Sequence, residues 1–323
     1  MSGQDVRMKW HSRTSRTSGT IRGLRWPAMA APNAMAAPTA IAPPNAIALP
    51  TAMAVLSAMA VLTAATGCAG PSSAAPPEAT AADRSAGARA VAPAPRASAT
   101  AFDGASSVGV LIDPDGEHFC TASVVASPKG NVIATAAHCI QDAGSAEAYG
   151  PGELEFAPGF SGRGKGSYPY GRWKVAAIHV DEHWTDGDDD ADAADYAFLV
   201  LEPDAKGRQV QQAVGSAAPD WASPPDRRVT VVGYPTRDHN PTNRPVACTT
   251  DSRPDPDLPK TLLMECAGFW EGTSGGPWLA DYRDGGHQGR LIGVLSGGDT
   301  DSESTAALFD DRARALYDKA AAG

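Results

Sequence analysis

Short apolar runs separated by turn-forming residues set the pattern of the chain from Ser107 onward. Ser107-Val-Gly-Val-Leu-Ile112 reads as a strand, Asp113-Pro-Asp-Gly116 as a tight turn, and His118-Phe-Cys-Thr-Ala-Ser-Val-Val125 as the next strand. A second turn at Pro128-Lys-Gly-Asn131 leads into Val132-Ile-Ala-Thr-Ala-Ala-His-Cys-Ile140. Residues 144–171 are rich in Gly, Ser and Pro and read as loops. Trp173–Val180 reads as a strand, as does the apolar run that Asp195 opens and Leu201 closes. Glu202 to Pro225 holds few long apolar runs and reads as a connection to a second unit. That unit begins at Arg228-Val-Thr-Val-Val-Gly-Tyr-Pro235 and includes a strand at Arg290-Leu-Ile-Gly-Val-Leu-Ser-Gly-Gly298. From Thr305 to Ala322 the period changes: Phe309, Ala313, Leu316 and Tyr317 share one face at helical spacing.

The first hundred residues have a different composition. Residues 1–26 are polar and basic, and residues 31–66 carry a six-residue repeat that opens as Ala31-Pro-Asn-Ala-Met-Ala36. Prolines in its first four copies and residues too small to stack a core argue against a β-solenoid. The last two copies merge into an apolar run, about Ala52 to Ala65, ending in Thr66-Gly67-Cys68. A basic region, a short apolar run and small residues describe a signal peptide (residues 1–67), too short for a comfortable membrane span. The long gap between the basic cluster and the apolar run points to a translation start further in, at Met29, Met35 or Met53. Residues 68–101 then read as a flexible Ala/Pro-rich tether, leaving 102–323 as the folded part.

About 220 residues suit one all-β domain or two small barrels. Six basic residues stand against one acidic residue before Cys68, and 21 against 36 after it. An acidic body excludes nucleic acid as a partner, since phosphate binding needs a basic face. Alternating aspartates in Asp186–Asp192 invite a calcium reading. An EF-hand loop would need glycine and glutamate where Ala191 and Ala197 stand, so a solvated acidic loop is expected and no metal.

Three stretches carry candidate chemistry. Glu271-Gly-Thr-Ser-Gly-Gly-Pro277 sets a serine on a glycine-flanked turn, which suits a hydroxyl nucleophile with backbone N–H groups beside it. Thr135-Ala-Ala-His-Cys139 places a histidine next to a cysteine, and Asp195 opens an apolar strand. In these motifs and their order the chain resembles the chymotrypsin-like serine peptidases, over about Phe102 to Asp318. The resemblance implies two six-stranded antiparallel barrels with the active site between them (about 102–205 and 226–304) and a closing helix at about 305–322. It further implies Ser274 as nucleophile, His138 as general base and acid, and Asp195, rather than Asp192, as the group that orients the histidine. Gly272 and Ser274 would supply the oxyanion hole. Gly268, Phe269, Ser296, Gly297 and Gly298 would form the substrate pocket, with Phe269, Trp270 and Leu295 favouring an apolar side chain. Gly268 offers no carboxylate for Lys or Arg, and Leu295 and Ser296 stand where glutamate-specific relatives place a histidine. The other histidines (His11, His118, His179, His183, His239, His287) read as ordinary core or surface residues.

The family's spacing pairs Cys120 with Cys139, and four cysteines in an exported domain then pair Cys248 with Cys266. Cys68 is left over, and Ala65-Thr-Gly-Cys68 resembles a bacterial lipoprotein box, so anchoring through a lipidated Cys68 is expected beside simple secretion. Thr273 stands where the digestive enzymes of the family have an aspartate that pairs with a freed N-terminal amine, which argues against activation of that kind. The expected protein is a monomeric, exported bacterial serine endopeptidase acting on proteins or peptides through an acyl-enzyme, without a cofactor. Two rivals stand beside it. One is a catalytically silent binding module of the same fold. The other is an esterase, disfavoured because its histidine would come last in the chain.

Overall fold

The computed structural model describes residues 97–162, 166–298 and 300–323; the expected leader, its repeat, Cys68 and the tether as far as residue 96 lie outside them. A two-residue strand, β1 (Thr100–Ala101), precedes the first barrel. That barrel comprises β2 (Val108–Ile112), β3 (His118–Val125), β4 (Val132–Thr135), β5 (Glu155–Pro158), β6 (Trp173–Val180) and β7 (Ala197–Leu201), closed in the order β2-β3-β4-β7-β6-β5. The second barrel follows a short β8 (Ala218–Pro219). It comprises β9 (Arg227–Gly233), β10 (Val246–Pro254), β11 (Thr261–Glu265), β12 (Pro277–Ala280), β13 (Arg290–Gly297) and β14 (Glu303–Leu308). The order β9-β10-β11-β14-β13-β12 closes back on β9, with β1 added to β10 and β8 to β13. The architecture is therefore two six-stranded antiparallel barrels and a C-terminal helix.

The apolar runs are nearly continuous because both faces of many strands are buried. Along β2, Leu111 points into the first barrel with Ala122, Val124, Ile133, Phe156 and Leu199. Its neighbours Val108, Val110 and Ile112 point the other way, into a seam shared with Phe198, Val232, Tyr234, Leu291 and Val294. The strand period of two thus divides one run between two cores. Trp278, Met264, Ile292 and Leu262 fill the second barrel. Phe198, Trp221, Phe309 and Tyr317 form an aromatic cluster in the seam, with centroids 5.2–6.2 Å apart.

Three expectations need correction. The closing helix spans Asp311–Ala322, not 305–322: Glu303–Leu308 is a strand paired on both sides, with β11 and β13. Pairing in the sheet overrides the helical spacing, and the Asp310 carboxylate sets the helix start by accepting from the N–H groups of Arg312 and Ala313. The helix packs its Ala313, Leu316, Tyr317 and Ala320 into the seam, and the Tyr317 hydroxyl donates to the Ala126 carbonyl of the first barrel at 2.6 Å. Folded structure also begins before Phe102. Ala99 N–H donates to Ala267 O at 2.7 Å, Ala267 N–H to Ala97 O at 3.0 Å, and Thr100–Ala101 pairs with Val246–Ala247. Small residues make these contacts, so composition alone reads as tether. Finally, the expected loops at 144–171 contain β5, four residues long and ended by Pro158, without which the first barrel would not close.

Both expected disulfides are present, Cys120–Cys139 and Cys248–Cys266. The second spans 18 residues across the β10–β11 hairpin. Replacing Cys248 and Cys266 together by Ala is expected to lower the unfolding free energy by about 3 kcal/mol. Urea titration of the oxidised proteins measures this, and an unchanged midpoint would mean that strand pairing holds the hairpin unaided.

Candidate active site

His138 sits on a single 3-10 turn, Ala137–Cys139, that leaves β4, and the adjacent Cys139 ties the turn to β3 through Cys120. Cys120, His138 and Cys139 lie within 4.8 Å of one another, but both sulfurs are spent in the bridge, so the group is no metal site. Asp195 ends another such turn, Asp192–Ala194, just before β7, and is 1% exposed. Its carboxylate accepts three hydrogen bonds. His138 gives two, from backbone N–H to Oδ1 at 2.9 Å and from Nδ1 to Oδ2 at 2.7 Å. The Ser296 hydroxyl gives the third, to Oδ2 at 2.5 Å.

Burial alone would push Asp195 towards its neutral form, but the facing imidazole and these donors outweigh it and hold the carboxyl below its usual range. Burial likewise pushes His138 down, and the charge and hydrogen bond of Asp195 reverse it, so the imidazole titrates above its ordinary value. An ionised Asp195 can only accept, so Nδ1 carries the ring proton and Nε2 is left with a lone pair. Trp184, on a short helix (Glu182–Asp186), flanks the ring at 6.4 Å between centroids.

The serine loop owes its shape to its glycines. Gly272 has φ +92°, and a Cβ there would lie 2.7 Å from Tyr234 O. Gly275 has φ +78°, and its Cβ would lie 2.1 Å from Thr135 Oγ1 and 2.8 Å from Ala136 N, two residues before His138. Ser274 therefore lies on a loop docked against the turn that carries the histidine. The Ser274 hydroxyl makes no hydrogen bond to any described residue, His138 included. The backbone carbonyls of residues 271–274 are engaged: Glu271 O accepts from Thr236 N–H at 2.7 Å and Gly272 O from Thr121 Oγ1 at 2.9 Å. Thr273 O accepts from Gly276 N–H at 2.9 Å, and Ser274 O from Thr121 N–H at 2.8 Å. The N–H groups of Gly272 and Ser274 have no acceptor among the described residues. Thr273 is buried and bonds within its own loop, its hydroxyl donating to Trp270 O at 2.7 Å.

The expected pocket residues divide. Gly268 (φ +98°) lies beside Ala99, and Gly297 leaves open space where a side chain would be. At Gly298 a Cβ would strike Glu303 O at 2.2 Å, so glycine there serves the pairing with β14. Phe269 packs with Ala97, Ala99 and Leu308 against the second barrel's core, Leu295 is inside it, and Trp270 stacks on His239 at 4.4 Å. The acidic loop pairs with nearby cations: Asp188 with His183, and Asp190 with Lys260 and Arg312.

Three contributions escape a reading of the sequence. Ser296 is one, since its side chain serves Asp195. Trp184 is another, a lone bulky residue in a polar stretch. Thr121 is the third, and its only signal is a polar residue inside an apolar strand.

The trypsin family model matches residues 97–312. The fold is similar to that of the protease Anisep from Arthrobacter nicotinovorans, with 22% identity and a TM-score of 0.61, over 70% of this chain and 100% of that one. It is also similar to the thermostable serine protease AL20 from an extremophilic microorganism, with 26% identity and a TM-score of 0.59, over 68% and 98%. Human heparin binding protein shares the fold at 15% identity and a TM-score of 0.51, over 69% and 96%. A comparison with curated proteins finds no match. Two barrels, two disulfides and a family match across nearly all of the described residues establish that the chain belongs to the trypsin family, the chymotrypsin-like serine proteases.

Proposed function

We propose that the protein is an exported serine endopeptidase that hydrolyses peptide bonds through Ser274, His138 and Asp195. The observation that carries this reading is the 2.7 Å bond from His138 to a fully buried, ionised Asp195, made beside a docked serine loop. In this reaction Nε2 of His138 takes the proton of Ser274 Oγ as the oxygen attacks the substrate carbonyl. Asp195 holds the ring in its tautomer and stabilises the imidazolium. The unengaged N–H groups of Gly272 and Ser274 receive the oxyanion. His138 then protonates the leaving amine, and water, activated the same way, releases the acyl group from Ser274. No step calls for a metal or a cofactor.

Two disulfides fit an oxidising compartment outside the cytoplasm. They consume four of the five cysteines, which leaves Cys68 for the proposed lipid anchor. A binding module of the same fold is the rival, and the unbonded Ser274 hydroxyl is the observation on its side. Binding of a polyanion such as heparin is a poor fit, because acidic residues outnumber basic ones by 36 to 21 from Cys68 onward.

Exposure of the full-length chain and its Ser274→Ala variant to a serine-directed phosphonate decides between them. The parent is expected to gain one adduct by mass and to cleave a casein-like substrate, with Ser274→Ala unlabelled and about 10⁶-fold slower. A folded parent that takes no label would turn the assignment to the binding module.

The acid limb of activity tests the histidine. Activity requires neutral His138, so it should appear as pH rises through a value above the ordinary imidazole pKa of about 6.5. Asp195→Asn removes the charge that favours the imidazolium and leaves the burial that opposes it. The His138 pKa should therefore fall, as followed by NMR of the ring protons, and turnover should drop by about 10⁴-fold. An unmoved pKa would mean that Asp195 does not govern the ring.

A further inference from the structure

We propose that Thr121, through its hydroxyl, is a positioning residue for the oxyanion hole. The inference rests on the endopeptidase reading above and concerns a residue of β3, in the opposite barrel from the loop it holds.

Thr121 is fully buried and all its polar groups are engaged. Its N–H donates to Ser274 O at 2.8 Å and its hydroxyl donates to Gly272 O at 2.9 Å. The same hydroxyl accepts from Tyr234 N–H at 2.9 Å, and Thr121 O accepts from Thr135 Oγ1 at 2.8 Å. One residue thus grips the carbonyls of Gly272 and Ser274, whose N–H groups have no acceptor among the described residues. It also joins them to the strand that ends at the histidine turn.

Gly272 is the freest residue of the loop, with φ +92°. Rotation of the peptide before it would turn the Gly272 N–H away from a developing oxyanion, and rotation of the one after it would shift Thr273 and, through it, the Ser274 N–H. The peptide that carries the Gly272 N–H is pinned by Thr236 N–H on Glu271 O, and the one that carries the Ser274 N–H by Gly276 N–H on Thr273 O. The peptide between them is held by the Thr121 hydroxyl on Gly272 O and by its own Thr273 N–H on Trp270 O, so Thr121 positions the two N–H groups through the backbone of Gly272 and Thr273. Thr273 contributes no switch, because its side chain is closed on Trp270 O and packed against Gly233. The loop is set when the two barrels dock.

Thr121→Val keeps the shape of the side chain and removes only the hydroxyl, leaving Gly272 O and Tyr234 N–H without their partner. In the full-length chain kcat is expected to fall about 30-fold with KM within about twofold. Affinity for a peptide boronate, which forms the tetrahedral oxyanion, should fall in step with kcat, and affinity for a product-like peptide should hold. The acid limb of the pH–rate curve should stay in place, since the His138–Asp195 pair is untouched. Thr121→Ser, which restores the hydroxyl, should recover to within about threefold of the parent. Thr121→Ala adds no bulk and gives the same reading if the valine variant melts below the assay temperature.

Parental kcat and boronate affinity in a folded Thr121→Val or Thr121→Ala variant would overturn the proposal alone. So would an equal loss in Thr121→Ser, or a displaced acid limb, since either marks a general structural effect. A parent that takes neither phosphonate nor boronate would overturn the endopeptidase reading and this proposal with it.

Discussion

A carboxylate that is 1% exposed sets the terms for this fold. Removing such a charge from water costs several kcal/mol, and only close donors and an opposing charge can offset it. Asp195 finds three donors on two segments: the His138 backbone and ring, and Ser296 on β13. The first two belong to one barrel and the third to the other. The charge is therefore satisfied only when both barrels are in register, and the same donors keep it ionised. A site built at an interface is in this sense also a condition on the interface.

The seam meets that condition with a core of its own. Strands β2, β4 and β7 each give one face to the first barrel and the other to the seam, where Phe198, Trp221, Phe309 and Tyr317 gather. Polar contacts cross the seam at several points, among them Thr121 with Gly272, Ser296 with Asp195 and His118 with Asn243. Apolar burial holds the two barrels together, while the buried hydroxyls fix the loop and the carboxylate in one arrangement.

How much of this was legible in the sequence depended on range. Local chemistry read well: Trp173–Val180 is a strand as expected, glycine stands at 272 and 275 because a Cβ would collide, and His138 lies against Asp195 rather than Asp192. What failed was decided by distant partners. Thr305–Leu308 falls inside the expected helix but is strand, paired on both sides. Glu155–Pro158 is too short to announce itself, and Ala97–Ala101 has the composition of a linker yet forms sheet. Phe269 reads as a pocket wall, and packing turns it towards the barrel core. Nothing in the local sequence of Thr121 or Ser296 names Gly272 or Asp195 as partner.

Each end of the described chain packs on the half it did not build. Residues 97–101 lie along the second barrel, at Ala267 and Val246–Ala247. The final helix, meanwhile, seals the seam side of the first barrel, with Tyr317 on Ala126. The order of synthesis is thus opposed to the order of completion. As the polypeptide emerges, the first barrel is exposed on its seam face until the last dozen residues arrive, and the opening strand waits for β10. A chain so arranged completes its shared core only once its own C-terminus is in place.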